Sequence, residues 1–286
     1  MMAQDSDIAL SADSFPARRW RLIVSGFADG PRNMAVDEAI LEAVAVGESP
    51  PTLRFYGWHP ACLSLGYRQP LTAVDIDYCV AAGWDIVRRP TGGRAILHGD
   101  ELTYSVIAPA GEPRVKGGIL ESYRRLSEAL TVGLVMLGLT SSEAPPDPGT
   151  TGLAGPACFD GPSNYEITHE GRKLVGSAQV RKKSVVLQHG ALPLRGDVGR
   201  VALALRFDSP EEQEQMAINL RRQATTLARA LGWDVSFEVA AASLAAGFAQ
   251  VLNLEMIKGD LSAVEKERAG QLRSQKYAAE SWAQRL

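Results

Sequence analysis

Two stretches of this 286-residue chain concentrate side chains able to do chemistry. The first is Arg88-Arg89-Pro90-Thr91-Gly92-Gly93-Arg94-Ala95-Ile96-Leu97-His98, a diglycine turn flanked by arginines. Glycines let a backbone approach a ligand closely, and Arg88, Arg89 and Arg94 would supply charge for a phosphate or carboxylate. A Gly-Gly pair between strands is equally ordinary turn punctuation, and the sequence has no Walker-type phosphate loop. The second stretch carries Cys158, Tyr165, Lys173, Gly176, Ser177, Gln179 and His189. A thiol and an amine meeting in one pocket suit acyl transfer, because a thiolate is a strong nucleophile and needs a cation nearby to form near neutral pH.

Each residue of the second stretch also has a plainer reading. A free cysteine is usually a small buried hydrophobe. Cys158, however, follows the Pro- and Gly-rich run from Ser142 to Ala157, which favours exposure, with Arg172, Lys173 and His189 as candidate cations. A lysine opening a strand is commonly a solvated edge residue. Behind Lys173, though, Gly176-Ser177-Ala178 is too small to fill a core and leaves room for a ligand. His189 reads as a pocket donor or as a satisfied core histidine. His59, His98 and His169 gain no role from the residues alone. Cys62 and Cys79 sit in apolar runs and read as core.

Elements must hold these residues in place. Trp20–Ser25, Thr52–Tyr56, Cys62–Leu65, Asp85–Arg88, Arg94–His98 and Thr103–Ile107 read as strands. Asn33 is placed to cap a helix starting at Met34, with Asp37 and Glu38 near its positive end. Leu126, Leu130, Leu134 and Leu137 recur at helical spacing within Ser122–Leu137. Ser142–Ala157 cannot be helix or interior strand and reads as an active-site loop. Asn164–Thr168, Lys173–Val180 and Val185–His189 then form a meander, with turns at Glu170-Gly171 and Lys182-Lys183. Beyond Arg206 the pattern turns helical. Ser209-Pro210-Glu211-Glu212 is a capping box, Ser236–Leu254 a long helix, and Ser262 with Glu265 opens another toward Tyr277. The expected fold is α+β, a mixed and largely antiparallel sheet with flanking helices. Its expected parts are a disordered lead-in over 1–17, a catalytic domain over 18–206 and a helical part over 207–286 packed on or beside it.

Composition narrows the function classes. The chain is 45% hydrophobic and 22% charged, ordinary for a globular protein with a sizeable core. A net charge of −3 argues against a general nucleic-acid binder. No run approaches the roughly 18–20 apolar residues of a membrane span, and the polar, acidic start lacks the features of a signal peptide. Three widely spaced cysteines argue against a disulfide framework and favour a cytoplasmic location, and no Cys/His spacing suggests zinc.

Taken together, several segments resemble the biotin/lipoate protein ligase and transferase superfamily, most of all its cysteine-dependent octanoyltransferase branch. They are Asn33 through Glu38, Arg88 through Ser105, Ala157-Cys158-Phe159 with Pro162-Ser163, Gly171 through Gln179, and Gln188-His189-Gly190. Lys276-Tyr277 and Trp282 also look family-like. The resemblance implies a catalytic-domain fold related to that of biotin ligases, of the class II synthetase type. It implies transfer of octanoate from acyl carrier protein to a lysine of a lipoyl-domain protein, such as the H protein of glycine cleavage, with no cofactor. Cys158 would be the nucleophile and Lys173 would hydrogen-bond the carbonyl oxygen. Arg89, Thr91, Gly92, Gly93, Arg94, His98, Tyr104, Gly176, Ser177, Ala178 and His189 would bind substrate. The meander charges Arg172, Lys173, Arg181, Lys182 and Lys183 offer a docking face for acidic partners, or ordinary solvated turns. Three rivals are an ATP-dependent lipoate ligase using the same pocket, an amidotransferase between lipoyl domains, and a non-catalytic acyl-binding module.

Overall fold

The computed structural model describes residues 15–139, 142–143 and 167–284; Cys158, Tyr165, nearly all of the Ser142–Ala157 loop and most of the 1–17 lead-in lie outside the described residues. Eleven described strands build two sheets. β1 (Arg18–Ala28) leads into helix α1 (Gly30–Ala45), and β2 (Thr52–Trp58) and β3 (Cys62–Leu65) follow. The short helix α2 (Ile76–Ala81) precedes β4 (Asp85–Arg88), β5 (Ile96–His98) and β6 (Glu101–Pro109). After α3 (Ile119–Met136) come β7 (Ser142–Glu143), β8 (Ile167–His169), β9 (Arg172–Lys182) and β10 (Val185–Pro193). The remainder is α4 (Pro210–Gln223), α5 (Leu227–Leu231), α6 (Phe237–Val251), β11 (Leu254–Lys258), α7 (Ala263–Leu272), a π-turn over Arg273–Tyr277 and α8 (Glu280–Ala283).

The large sheet runs β11-β1-β2-β6-β10-β9-β8-β7, parallel at β11–β1 and β1–β2 and antiparallel through the rest of the ladder. The small sheet, β4-β3-β5, carries the diglycine turn between its outer strands. This is the mixed, largely antiparallel α+β architecture expected from the sequence.

Strand alternation sorts the large sheet's side chains between two apolar layers. On one face Leu53, Phe55, Leu102, Tyr104, Val106 and Val186 pack against α3 and α6. On the other, Tyr56, Trp58, Ile107, Val185 and Leu187 pack against α1 and α7. Helices α3 and α6 cross at contact distance: a Cβ on Gly247 would lie 2.4 Å from the Ala129 carbonyl oxygen.

Three elements differ from expectation. Helix α1 begins at Gly30, not Met34; Asp29 caps it by accepting from the Arg32 amide, with Pro31 in the first turn. Asn33 lies inside the helix, fully buried, and donates to the carbonyls of Ala28 and Gly57. The long helix expected to reach Leu254 stops at Val251. Asn253 takes a left-handed φ of 48°, and β11 then pairs in parallel with β1. The 207–286 part therefore contributes an edge strand to the large sheet as well as helices. Among the described residues no helix is long and apolar enough to cross a membrane.

Candidate active site

A narrow, largely enclosed pocket opens where the two sheets meet. Its walls come from Met34 on α1, Tyr56 and Trp58 on β2, Ser64, the Arg89–His98 segment, and Gly176–Ala178 with His189–Ala191 on β9 and β10. The Arg89–His98 and Gly176–Ala178 segments expected to wall an acyl chain face one another here.

Lys173 lies just beyond this wall, 3% exposed. Strict alternation would set Leu174 and Val175 on opposite faces, yet both belong to the layer against α3 and α6. The register explains it: Ile167 pairs with Val175 and Thr168 with Lys173, so β9 holds one extra residue there. A bulge re-aims the side chains on either side of it. Lys173 is thereby carried to the opposite face from Leu174, the face that Gly176 and Ala178 share.

The floor of the pocket is a buried polar network. Asp37, fully buried, accepts from Arg54 Nη1 at 2.6 Å, Tyr56 Oη at 2.9 Å and Ser105 Oγ at 3.0 Å. Burial alone would raise its carboxyl, but Arg54 and His189 bring it below the ordinary carboxylate range. His189 Nε2 lies 2.7 Å from the hydroxyl of Thr91, and its Nδ1 lies 3.7 Å from Asp37, beyond hydrogen-bond reach. Burial holds the imidazole below its usual pKa despite Asp37, so it is neutral near pH 7. The field of Asp37 favours the proton on Nδ1, which leaves Nε2 to accept the Thr91 proton. Of the two readings of His189, the structure supports both a pocket wall and a hydrogen-bonded core residue.

His98 is equally constrained. Its Nδ1 lies 2.7 Å from Glu101 and its Nε2 2.7 Å from Ser64 Oγ, while Trp58 stacks on the ring at 4.0 Å. A flat aromatic stack with both nitrogens engaged makes a rigid wall.

The two leading arginines of the motif do not reach outward. Arg89 donates to the carbonyls of Ser64, Gly92 and Arg94, which sets the shape of the diglycine turn. Arg88, fully buried, donates to the carbonyls of Gly66, Gln69 and Ala283. Ligand charge from Arg88 is thus an expectation the structure corrects: its guanidinium is internal because β4 is covered on both sides. Gly92 and Gly93 are exposed at the pocket mouth, and Arg94 lines the open groove outside it. Tyr104 is a second correction. It points to the α3–α6 layer, one residue out of phase with Thr103, and bonds Ser177 and Gln188 rather than lining the pocket. Its phenol is pushed up to about 12 by burial. Ser177 lines the pocket while holding that bond.

The meander charges are mostly paired. Lys182 binds Glu38, Lys183 binds Glu42 and Arg172 binds Glu170. Cys62 and Cys79 are core, as expected, and burial pushes both thiols up, the latter to about 11. Among the described residues no group of three or more His, Cys, Asp or Glu is placed to hold a metal.

Sequence reading missed Trp58, Ser64 and Met34 in the pocket, and Arg68 beside it. Trp58 was legible as an aromatic ending a strand next to the motif. Arg68 had no signal beyond its charge.

An enclosed apolar slot beside a polar floor, closed by a backbone turn, defines an acyl-group-handling catalytic domain. Residues 29–249 match the lipoyl protein ligase A/B catalytic domain family, and the chain belongs to it. It is 45% identical to the octanoyltransferase LipM of Kyrpidia tusciae, over 92% of this chain and 97% of that one. It is 44% identical to the octanoyltransferase LipM of Moorella thermoacetica, over 94% and 99%. Among solved structures it superposes on the bipartite lipoate protein ligase of Thermoplasma acidophilum with a TM-score of 0.79, at 25% identity, over 94% of this chain and 98% of that one. The chain is an acyltransferase of the octanoyltransferase type.

Proposed function

We propose that this chain moves an octanoyl group from acyl carrier protein to a lysine of a lipoyl-domain protein, the glycine cleavage H protein, through a thioester on Cys158. The observation that carries the reading is the β9 bulge, which gives Lys173 the face of the pocket wall Gly176–Ala178.

The chemistry runs in two balanced steps. The Cys158 thiolate attacks the donor thioester carbonyl, the new C–S bond forms, and the carrier's thiolate leaves and takes up a proton. The neutral amine of the acceptor lysine then attacks the cysteinyl thioester. A C–N bond forms, the Cys158 sulfur leaves as thiolate, and the amine's proton goes to solvent. Covalent catalysis divides one hard transfer into two easier ones. The Lys173 ammonium hydrogen-bonds the carbonyl oxygen as it becomes an oxyanion, the kind of contact whose removal costs about 10²–10³ in rate. The slot against Trp58 and His98 holds the alkyl chain, each buried methylene contributing about 0.8 kcal/mol.

Intact-protein mass spectrometry after mixing with octanoyl-carrier protein, without ATP, tests this. The expected result is an octanoyl adduct on the wild type that discharges onto apo H protein and is absent from Cys158→Ala. Acceptor modification that needs ATP and free octanoate, with Cys158→Ala fully active, would instead make the chain a ligase. Discharge onto other lipoyl domains but not onto H protein would sink the acceptor assignment.

A further inference from the structure

Outside the pocket lies an open groove of about 1100 Å³. Five cations line it, Arg68, Arg94, Arg181, Lys182 and Lys276, and no carboxylate does, in a chain whose net charge is −3. The five are not equivalent. Glu38 holds Lys182 and Lys276 from beneath, and Arg181 donates to the carbonyls of Val115 and Gly118 at the start of α3. Arg68 is exposed, and its side chain has no hydrogen bond or ion pair among the described residues.

The groove is continuous with the acyl pocket, because Gly93 lines both. A molecule lying in the groove while its acyl group fills the pocket is therefore joined to that group across the diglycine turn. The leaving side of the donor is what is so joined. Its chemistry, for a carrier-protein thioester, is a chain of amides ending in a phosphodiester. The groove matches that order. Exposed Gly92 and Gly93 offer bare backbone next to the pocket mouth, and Tyr67, Pro70 and Trp282 offer apolar surface along the way. Cations then offer charge-assisted bonds to an anion. An acidic protein surface would want the cations but has no use for the narrow apolar stretch between them and the turn.

We propose that this groove seats the phosphopantetheine arm of the acyl donor, with Arg68 and Arg94 pairing its phosphodiester. This rests on the transferase reading above. It assigns the phosphate to residues outside the meander cluster, whose charges are tied to α1 and to its own turn.

The test compares two small donors that differ in one group, octanoyl-4′-phosphopantetheine and octanoylpantetheine, by the rate of acyl-enzyme formation. Alongside it, calorimetry measures binding of unacylated 4′-phosphopantetheine and pantetheine. The wild type is expected to prefer the phosphorylated donor, and the ratio of the two rates to fall about 5-fold in Arg68→Ala, the scale of one exposed charge pair. Arg68→Glu should remove the preference, and added salt should weaken it in the wild type. Equal handling of both donors by the wild type overturns the proposal, as does a preference that survives Arg68→Glu. So does a loss in Arg68→Glu seen with octanoyl-carrier protein but not with phosphopantetheine, which would assign Arg68 to the carrier's acidic surface. If no thioester acylates the wild type, the transferase reading falls, and the calorimetric arm still decides whether the groove tells phosphopantetheine from pantetheine.

Discussion

Asp37 and Arg54 form a buried pair, and removing one partner of such a pair leaves the other charged and uncompensated. Asp37→Ala is expected to cost about 3–5 kcal/mol in denaturant unfolding. Two further groups set the acid limit of stability, in separate windows. His189 is held neutral by burial, so below its unfolded pKa near 6.5 the unfolded chain binds a proton that the native state does not, and stability falls with pH. Burial alone would raise Glu38, but its bonds from Lys276, Tyr277 and Lys182 bring it down to about 2. Its contribution is complete above the unfolded value of 4.5 and is lost as pH falls from there toward 2, up to about 3 kcal/mol. Glu38→Gln should flatten the lower window and leave the upper one. Unfolding midpoints at pH 7.5, 5.5 and 3.5 separate the two. At this scale the sequence offered residue types but not partners, for Asp37 and His189 are distant in sequence and meet through the sheet.

Among the elements, the diglycine turn is held from outside as well as by Arg89. A Cβ on Gly66 would lie 1.8 Å from the Gly93 carbonyl oxygen, a backbone atom with nowhere to go. Gly66→Ala is therefore expected to displace the turn that carries Thr91 and Gly93. Acyl-enzyme formation should fall by at least 10-fold with a smaller change in melting temperature, since misplacing catalytic geometry by about 1 Å costs up to 10². Helices α3 and α6 give the contrasting case. Gly247→Ala should lower stability by about 1–3 kcal/mol through their crossing, measured by thermal unfolding. The elements were legible where local signals are strong: β3 and β4 fall where the apolar runs placed them, and Ser209 caps α4 as the sequence indicated. Strand β11 was not. Leu254–Lys258 continues the apolar pattern of α6, and Asn253 alone marks the break. The face taken by Tyr104 was also hidden, since one residue of register decides it. The bulge that re-aims Lys173 leaves no mark in the sequence beyond two adjacent apolar residues.

Across the whole molecule, charge is distributed unevenly. A chain of net charge −3 gathers five cations along one groove. Acylation by an acidic carrier should therefore slow as ionic strength rises, through KM more than kcat, while an uncharged octanoyl thioester should show little salt dependence. Steady-state rates at about 0.05 and 0.5 M salt distinguish these. The groove's far wall is assembled from the π-turn and α8. Trp282 Nε1 donates to the Arg88 carbonyl, Tyr277 Oη to Glu38, and Arg88 answers through the carbonyls of Trp282 and Ala283.

That clasp has a consequence for how the molecule is made. Residue 282 leaves the ribosome 194 residues after Arg88. At about 5–20 residues per second, this is a wait of roughly 10–40 s. Throughout it, the guanidinium at the centre of the motif lacks two of its carbonyl acceptors, and the α1 surface that receives Tyr277 stands open. The nascent chain thus carries its catalytic motif in an unfinished, water-exposed form until Trp282 has emerged, and a ribosome that stops short of it releases a chain whose groove has no far side.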